Sequence, residues 1–174
     1  MAENTISKND AEHAQLTHFL TQQYLCESLT VAEVNTLLNY LTVLHFSTDA
    51  VISDVGDVGD ELYFVVKGEV ALVIPDGSIE YEVVRSGAGE MLGMMSFFDK
   101  RARSVRLVAK AADTQVLKLP RAMYKRMKVE HPYIAINIVE QAVLSMDHLF
   151  RAVSSDHAQF SHYLYGSGVK ASAD

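Results

Sequence analysis

At Val43 the hydrophobic period of the chain changes from 3.6 residues to 2. From there to Leu119 turn residues recur roughly every eight to twelve positions, the pattern of a small antiparallel barrel or sandwich. Strands are expected at 43–46, 51–55, 61–67, 69–74 and 79–85 and, after an interruption, at 103–109 and 114–119. Asp76-Gly77 joins two of them, a dipeptide that tolerates the positive φ of a tight hairpin. The run Ile79-Glu-Tyr-Glu-Val83 alternates, so Ile79, Tyr81 and Val83 are expected to face the core and Glu80 and Glu82 to face water.

Helical patterns bracket this unit. Asn9 to Glu12 offers a helix start, followed by Leu16, Phe19, Leu20, Tyr24 and Leu25 at helical spacing. Thr30-Val-Ala-Glu33 is a capping box ahead of the apolar stripe Val34, Leu37, Leu38 and Leu41. Pro120 opens a further helix to about Val129, and His131-Pro132 breaks it and starts a long one to about Val153. That last helix has two apolar stripes, one of Ile134, Ile138, Ala142, Met146, Leu149 and Val153, the other of Ala135, Val139, Val143 and Phe150. Two apolar faces need two covers. Either a partner, a second copy or another protein, packs on helix 131–153, or the N-terminal helices fold back over it. Ser154-Ser155-Asp156 reads as the cap of a short helix that Gly166 ends. The expected organisation is one α+β domain: a helical segment 1–42, the β unit 43–119, helices 120–153 and a tail 154–174.

Composition excludes several functions. The 174 residues suffice for one buried core, and the formal charge of −7 argues against coating phosphate backbones. No apolar run approaches the roughly 18 residues of a membrane span, and the polar first ten residues do not read as a secretory signal, so a cytoplasmic setting is expected. Cys26 is the only cysteine and reads as a small apolar residue. His13 and His18, like His157 and His162, miss a common helical face, and no metal site is expected. Nucleophile, base and orienter converge nowhere, so no catalytic residues and no enzyme activity are expected. Residues 154–174 hold Lys170 and no arginine, too little for a DNA-binding domain.

The chemistry lies in the interruption, about 87–104. Its glycines permit close backbone approach, Met94 to Phe98 can form one helical turn with free amides, and Arg103 follows, an anion-binding arrangement. By strand parity Arg103 shares the inward face of Val105, Leu107 and Ala109. An inward guanidinium needs an anion or a carboxylate; the other reading has Arg103 at the strand end, reaching solvent.

The run Gly56-Asp-Val-Gly-Asp-Glu-Leu-Tyr-Phe-Val-Val-Lys-Gly-Glu-Val70 resembles the first signature of cyclic-nucleotide-binding domains. Gly89-Glu-Met-Leu-Gly93 with Arg103-Ser-Val105 resembles the second, the phosphate-binding cassette of catabolite-activator and protein kinase A regulatory-subunit types. The resemblance spans roughly Leu25 to Val153. It implies an antiparallel, jelly-roll-like β-roll flanked by N-terminal helices and a long C-terminal helix, here without a second module. In that family a cassette Glu accepts the ribose 2′-hydroxyl, while the Arg and nearby amides hold the cyclic phosphate. Carried over, Gly93 matches the Gly, Arg103 the Arg and Ser104 the small residue after it; Val105 replaces the usual Ala and Ala102 the frequent Pro. Met94 falls where the Glu stands, the decisive departure. A register through Gly89-Glu90 restores the acid but overlengthens the gap to Arg103.

The resemblance therefore implies a ligand site of Gly93, Met94, Met95, Ser96, Arg103, Ser104 and Val105, taking a cyclic nucleotide or another phosphate-bearing small molecule. The missing carboxylate removes a charged hydrogen bond of roughly 1.5–3 kcal/mol, about ten- to a hundredfold in affinity. Two functions are carried forward. One is a regulatory module that senses such an anion weakly or atypically and signals through its C-terminal helix. The other is a degenerate scaffold, its pocket packed shut by Met94, Met95, Phe97 and Phe98, that dimerises or docks a partner without ligand.

Overall fold

The period-2 stretch builds two antiparallel four-stranded sheets. In this computed structural model residues 3–77 and 79–165 are described, with side chains over 11–77, 79–147 and 150–151. The first sheet has the order β1 (Thr42–Phe46), β8 (Thr114–Pro120), β3 (Glu61–Lys67), β6 (Met91–Leu92). The second has the order β2 (Val51–Ser53), β7 (Arg106–Ala109), β4 (Val70–Asp76), β5 (Ile79–Ser86). Tyr63, Val65, Leu92 and Val116 from one sheet meet Val70 and Leu107 from the other, closing the interior of the roll. On its other face the first sheet turns Leu62, Phe64, Met91, Leu117 and Leu119 toward the helices, where they share a core with Leu20, Leu37, Met127, Ile134 and Ile138. Each such side chain contributes roughly 1.5–3 kcal/mol by leaving water, so this layer anchors every helix to the strands that carry the cassette.

The helices are α1 (Glu3–Thr21), a 3-10 turn at Tyr24–Cys26, α2 (Val31–Leu38), α3 (Met94–Asp99), α4 (Arg121–Glu130) and α5 (Pro132–Tyr165). The capping box before α2 is complete: the Glu33 amide donates to Thr30 Oγ1 at 3.3 Å and the Thr30 amide to Glu33 Oε2 at 2.8 Å. Cys26 is buried and its thiol is pushed up to about 12 by burial, which leaves it un-ionised and unreactive. Among the described residues, no three His, Cys, Asp or Glu gather to hold a metal ion and no helix is long and apolar enough to cross a membrane.

Several expectations need correction. Ile79, Tyr81 and Val83 are not core: they are 56%, 52% and 37% exposed. β5 is an edge strand, and a bulge between Leu72 and Val73 shifts its pairing so that Tyr81 lies opposite Ile74. The interior cluster takes in Val70 and Leu72 but stops short of Ile74, so the tip of the β4–β5 hairpin outruns the sheet that would cover it. β2 ends at Ser53 rather than residue 55, because the Asp54 amide donates to Asp57 Oδ2 at 2.7 Å and starts a turn. β7 begins only at Arg106; Arg103 is instead tied to the β2–β3 loop at Gly56 and Asp57. α1 begins upstream of Asn9, and α5 runs through Ser154-Ser155-Asp156 without the expected break. The side chains of Leu149, Val153, Phe160 and Leu164 lie outside those described, as do Gly166 and the rest of the chain.

Burial on α5 does not simply follow the two stripes: Ala135 of the second is buried and Met146 of the first is exposed. Ile134, Ala135, Ile138 and Ala142 are buried, whereas Val139, Val143, Met146 and Phe150 are 40% to 73% exposed. The N-terminal helices do not fold over this second face.

Candidate functional site

The cassette begins with a turn that closes on itself. Glu90 Oε2 accepts from the Gly87 amide at 2.8 Å, the Gly89 amide donates to the Val65 carbonyl at 2.8 Å, and the Val65 amide donates back to Glu90 at 2.9 Å. Glu90 is thereby spent on the turn. It lines a separate cavity with Tyr24, Ser86, Met91 and Gln141, and the Gly89-Glu90 register gains no support from its position.

β6 then carries the chain along β3, with Leu92 opposite Tyr63, and delivers Gly93 as the N-cap of α3 at φ 80°. Glycine is required here twice over. The left-handed backbone disfavours a side chain, and a Cβ would lie 2.6 Å from Arg103 Nη1 and 3.2 Å from the Glu61 carbonyl oxygen. No side chain caps α3, which leaves its first amides open beside the guanidinium.

Arg103 is 5% exposed and does not reach solvent. Its amide donates to the Asp57 carbonyl and its own carbonyl accepts from the Gly56 amide, both at 2.9 Å, so the β2–β3 loop fixes its backbone. Nη2 donates to the Glu61 carbonyl at 2.8 Å, and the guanidinium carbon sits 5.6 Å from the Tyr63 ring centroid. Nε is buried and has no partner. No carboxylate lies within ion-pair reach of this guanidinium among the described residues. An unsatisfied buried donor costs roughly 1–3 kcal/mol, more when charged, and an oxyanion in the adjoining space removes that cost.

That space is a cavity of about 40 Å3 lined by Leu72, Leu92, the Gly93–Ser96 backbone turn, Arg103, Ser104, Val105 and Leu107. Each expected site residue, Gly93, Met94, Met95, Ser96, Arg103, Ser104 and Val105, borders it. They differ in character. Met94 is 2% exposed and packs in the helix-facing core with Phe97, while Met95 is 55% exposed.

Sequence reasoning missed the supports. Asp57, Asp60 and Glu61 each hold something. Glu61 Oε2 accepts from the Tyr63 hydroxyl at 2.6 Å and Oε1 pairs with Lys118 at 3.1 Å. Burial pushes the Glu61 carboxyl up, but those two bonds and nearby Arg103 outweigh it and hold it below the usual carboxylate range. Burial and then the Glu61 contact push Tyr63 well above an ordinary phenol, so it stays a donor. Arg121, at the start of α4, pairs with Asp60 at 2.7 Å, donates to the carbonyls of Phe97 and Gly59, and lies 4.7 Å over the Phe97 ring. Gly59 lets this happen, since a Cβ there would come within 2.4 Å of the Ser96 backbone. A basic residue directly after Pro120 was the one available signal.

Two antiparallel sheets closed into a roll, with a glycine-capped turn against a buried arginine, define a ligand-sensing β-roll. The chain belongs to the cyclic nucleotide-binding domain family, whose profile matches residues 43–131. It is 30% identical over 130 residues to a lysophospholipase of Aspergillus oryzae, covering 68% of this chain and 8% of that protein. It is 33% identical over 115 residues to the cyclic AMP receptor protein of Thermus thermophilus, covering 66% of this chain and 53% of that one. A solved cyclic nucleotide-binding domain from Methylobacillus flagellatus superposes with a TM-score of 0.73 at 22% identity, over 84% of this chain and 83% of that one. The chain thus spans under a tenth of the enzyme it matches, and homology to non-catalytic binding domains supports a non-enzymatic, regulatory role.

Proposed function

We propose that this chain senses an oxyanion at Arg103, a cyclic nucleotide or a related phosphate-bearing small molecule, with atypical affinity for cyclic nucleotides, and signals through α5. The observation that carries this reading is the buried, unpartnered Nε of Arg103. Gly93, Ser96, Ser104 and the α3 amides supply neutral donors around it, and Met94 supplies no acceptor for a ribose hydroxyl. Arg121 ties α3 to α4, and α4 packs on α5, so a shift of the cassette has a mechanical route to the long helix. The name of the Thermus relative, a cyclic AMP receptor, agrees with such a ligand. A cytoplasmic setting follows from the same reading, since such ligands are intracellular signals.

Titration calorimetry with cyclic AMP and cyclic GMP at up to millimolar ligand tests it. Weak heat that disappears in Arg103→Ala supports the reading; affinity that survives Arg103→Ala places the ligand elsewhere.

A second reading rests on a different observation. Val139, Val143, Leu144, Met146 and Phe150 stand exposed along α5, which suits a homodimer or a partner-binding scaffold that needs no ligand. Sedimentation across a wide concentration range decides this, and a strict monomer removes self-association as the cover.

A further inference from the structure

The Arg103 cavity also constrains the kind of molecule that carries the anion. The enclosed space beside Arg103 is small, about 40 Å3, and open to solvent on one side, so the bulk of any ligand that puts an oxyanion there extends out of it. The remainder of a ligand must lie on the surface that continues its wall. On β4 the wall is Leu72; the next residue on the same face is Ile74, with Tyr81 directly across on β5. These two are 43% and 52% exposed, and Ile79 beyond them is 56% exposed. Apolar side chains of this size at the tips of β4 and the edge strand β5, uncovered and in line with the cavity wall, form a ledge. The cavity's side-chain polar groups are Arg103, Ser96 and Ser104, all able to donate to an anion, and no carboxylate lines it.

Resting on the reading of Arg103 as an oxyanion site, we propose that its ligand carries the oxyanion on an apolar, sugar-free body, in the manner of an aryl phosphate, seated against Ile74 and Tyr81. A sugar brings hydroxyls that the ledge cannot pair, whereas an aromatic ring brings surface that it can bury. Covering roughly 55 Å2 of apolar surface corresponds to about a tenfold gain in affinity.

The test is an amide NMR titration of the full chain with phenyl phosphate, ribose 5-phosphate, inorganic phosphate and cyclic AMP, repeated on Tyr81→Ala and Arg103→Met. Phenyl phosphate is expected to bind about tenfold more tightly than ribose 5-phosphate or inorganic phosphate. Tyr81→Ala is expected to erase that preference and leave inorganic phosphate unchanged, and Arg103→Met to abolish all binding. Tightest binding by ribose 5-phosphate or cyclic AMP, or an unchanged phenyl phosphate affinity in Tyr81→Ala, overturns the ledge while the Arg103 site stands. If none of the four compounds binds, or binding survives Arg103→Met, the underlying oxyanion reading fails and the ledge falls with it.

Discussion

Arg103 and Met94 border the same cavity and are almost equally buried, at 5% and 2% exposed, yet the protein treats them in opposite ways. Arg103 is clamped by backbone at Asp57 and Glu61 and stacked near Tyr63, and it keeps an unused donor. Met94 has been absorbed into the core that joins the sheet to the helices. One half of the site is held open to a charge; the other has become packing. Packing on the Met94 side therefore coexists with an open space beside Arg103.

The largest effect is expected from Met94→Glu. If Met94 is core, the new carboxylate has no water and no partner, and stability at pH 7 should fall by roughly 3 kcal/mol in urea denaturation. Burial raises the folded-state pKa of such a group, so the penalty should shrink as pH falls toward the unfolded value near 4.3 and be fully expressed only at higher pH. Unchanged stability with tighter cyclic AMP binding would instead make Met94 a ligand-facing residue and dissolve the contrast.

Next comes Gly93→Ala. A left-handed backbone costs a side chain about 1–2 kcal/mol, and the 2.6 Å approach to Arg103 Nη1 forces the guanidinium aside. A lower urea midpoint together with weakened phosphate binding is expected. Arg103→Met should do less to stability. Replacing an unpaired buried cation by an apolar side chain of similar length is expected to change unfolding free energy by no more than about 1 kcal/mol, while removing anion binding. A loss well above 2 kcal/mol would recast Arg103 as a structural post.

The smallest effect concerns Glu61, whose carbonyl receives Arg103 and whose carboxyl is held low. A depressed folded-state pKa means its contribution is present above the unfolded value and is lost as pH falls through the folded one. Glu61→Gln should cost about 1 kcal/mol at pH 7 and flatten the acid limb of a stability profile relative to wild type.

Much of this was legible in the sequence, and the reasons are local. The Thr30–Glu33 box, the Asp76-Gly77 hairpin and the glycine at position 93 each satisfy a short-range rule that tertiary contacts do not override. Arg103 is inside, but not by strand parity, since β7 begins only at Arg106 and the β2–β3 loop holds Arg103 instead. Failures came where partners are distant. Alternation alone cannot show that β5 is an edge strand whose tip outruns its neighbour, so Ile79 and Tyr81 read as core. β6 has two residues, too few for any period, and the turn at Asp54 that ends β2 depends on a side chain accepting from the backbone. Glu90 carries the right chemistry for a ribose contact and is occupied elsewhere, which no spacing rule reveals.

The length of α5 has a consequence of its own. Among the described side chains of α5, Ile134 to Ala142 are seated in the core, and the helix continues to Tyr165. At 1.5 Å per residue the stretch from Val143 to Tyr165 is about 35 Å long. A tilt of about 10° at its seated base then displaces the far end by about 6 Å. On the proposed reading, this helix is the lever, its fulcrum beside α4, through which a small adjustment at the cassette reaches another molecule.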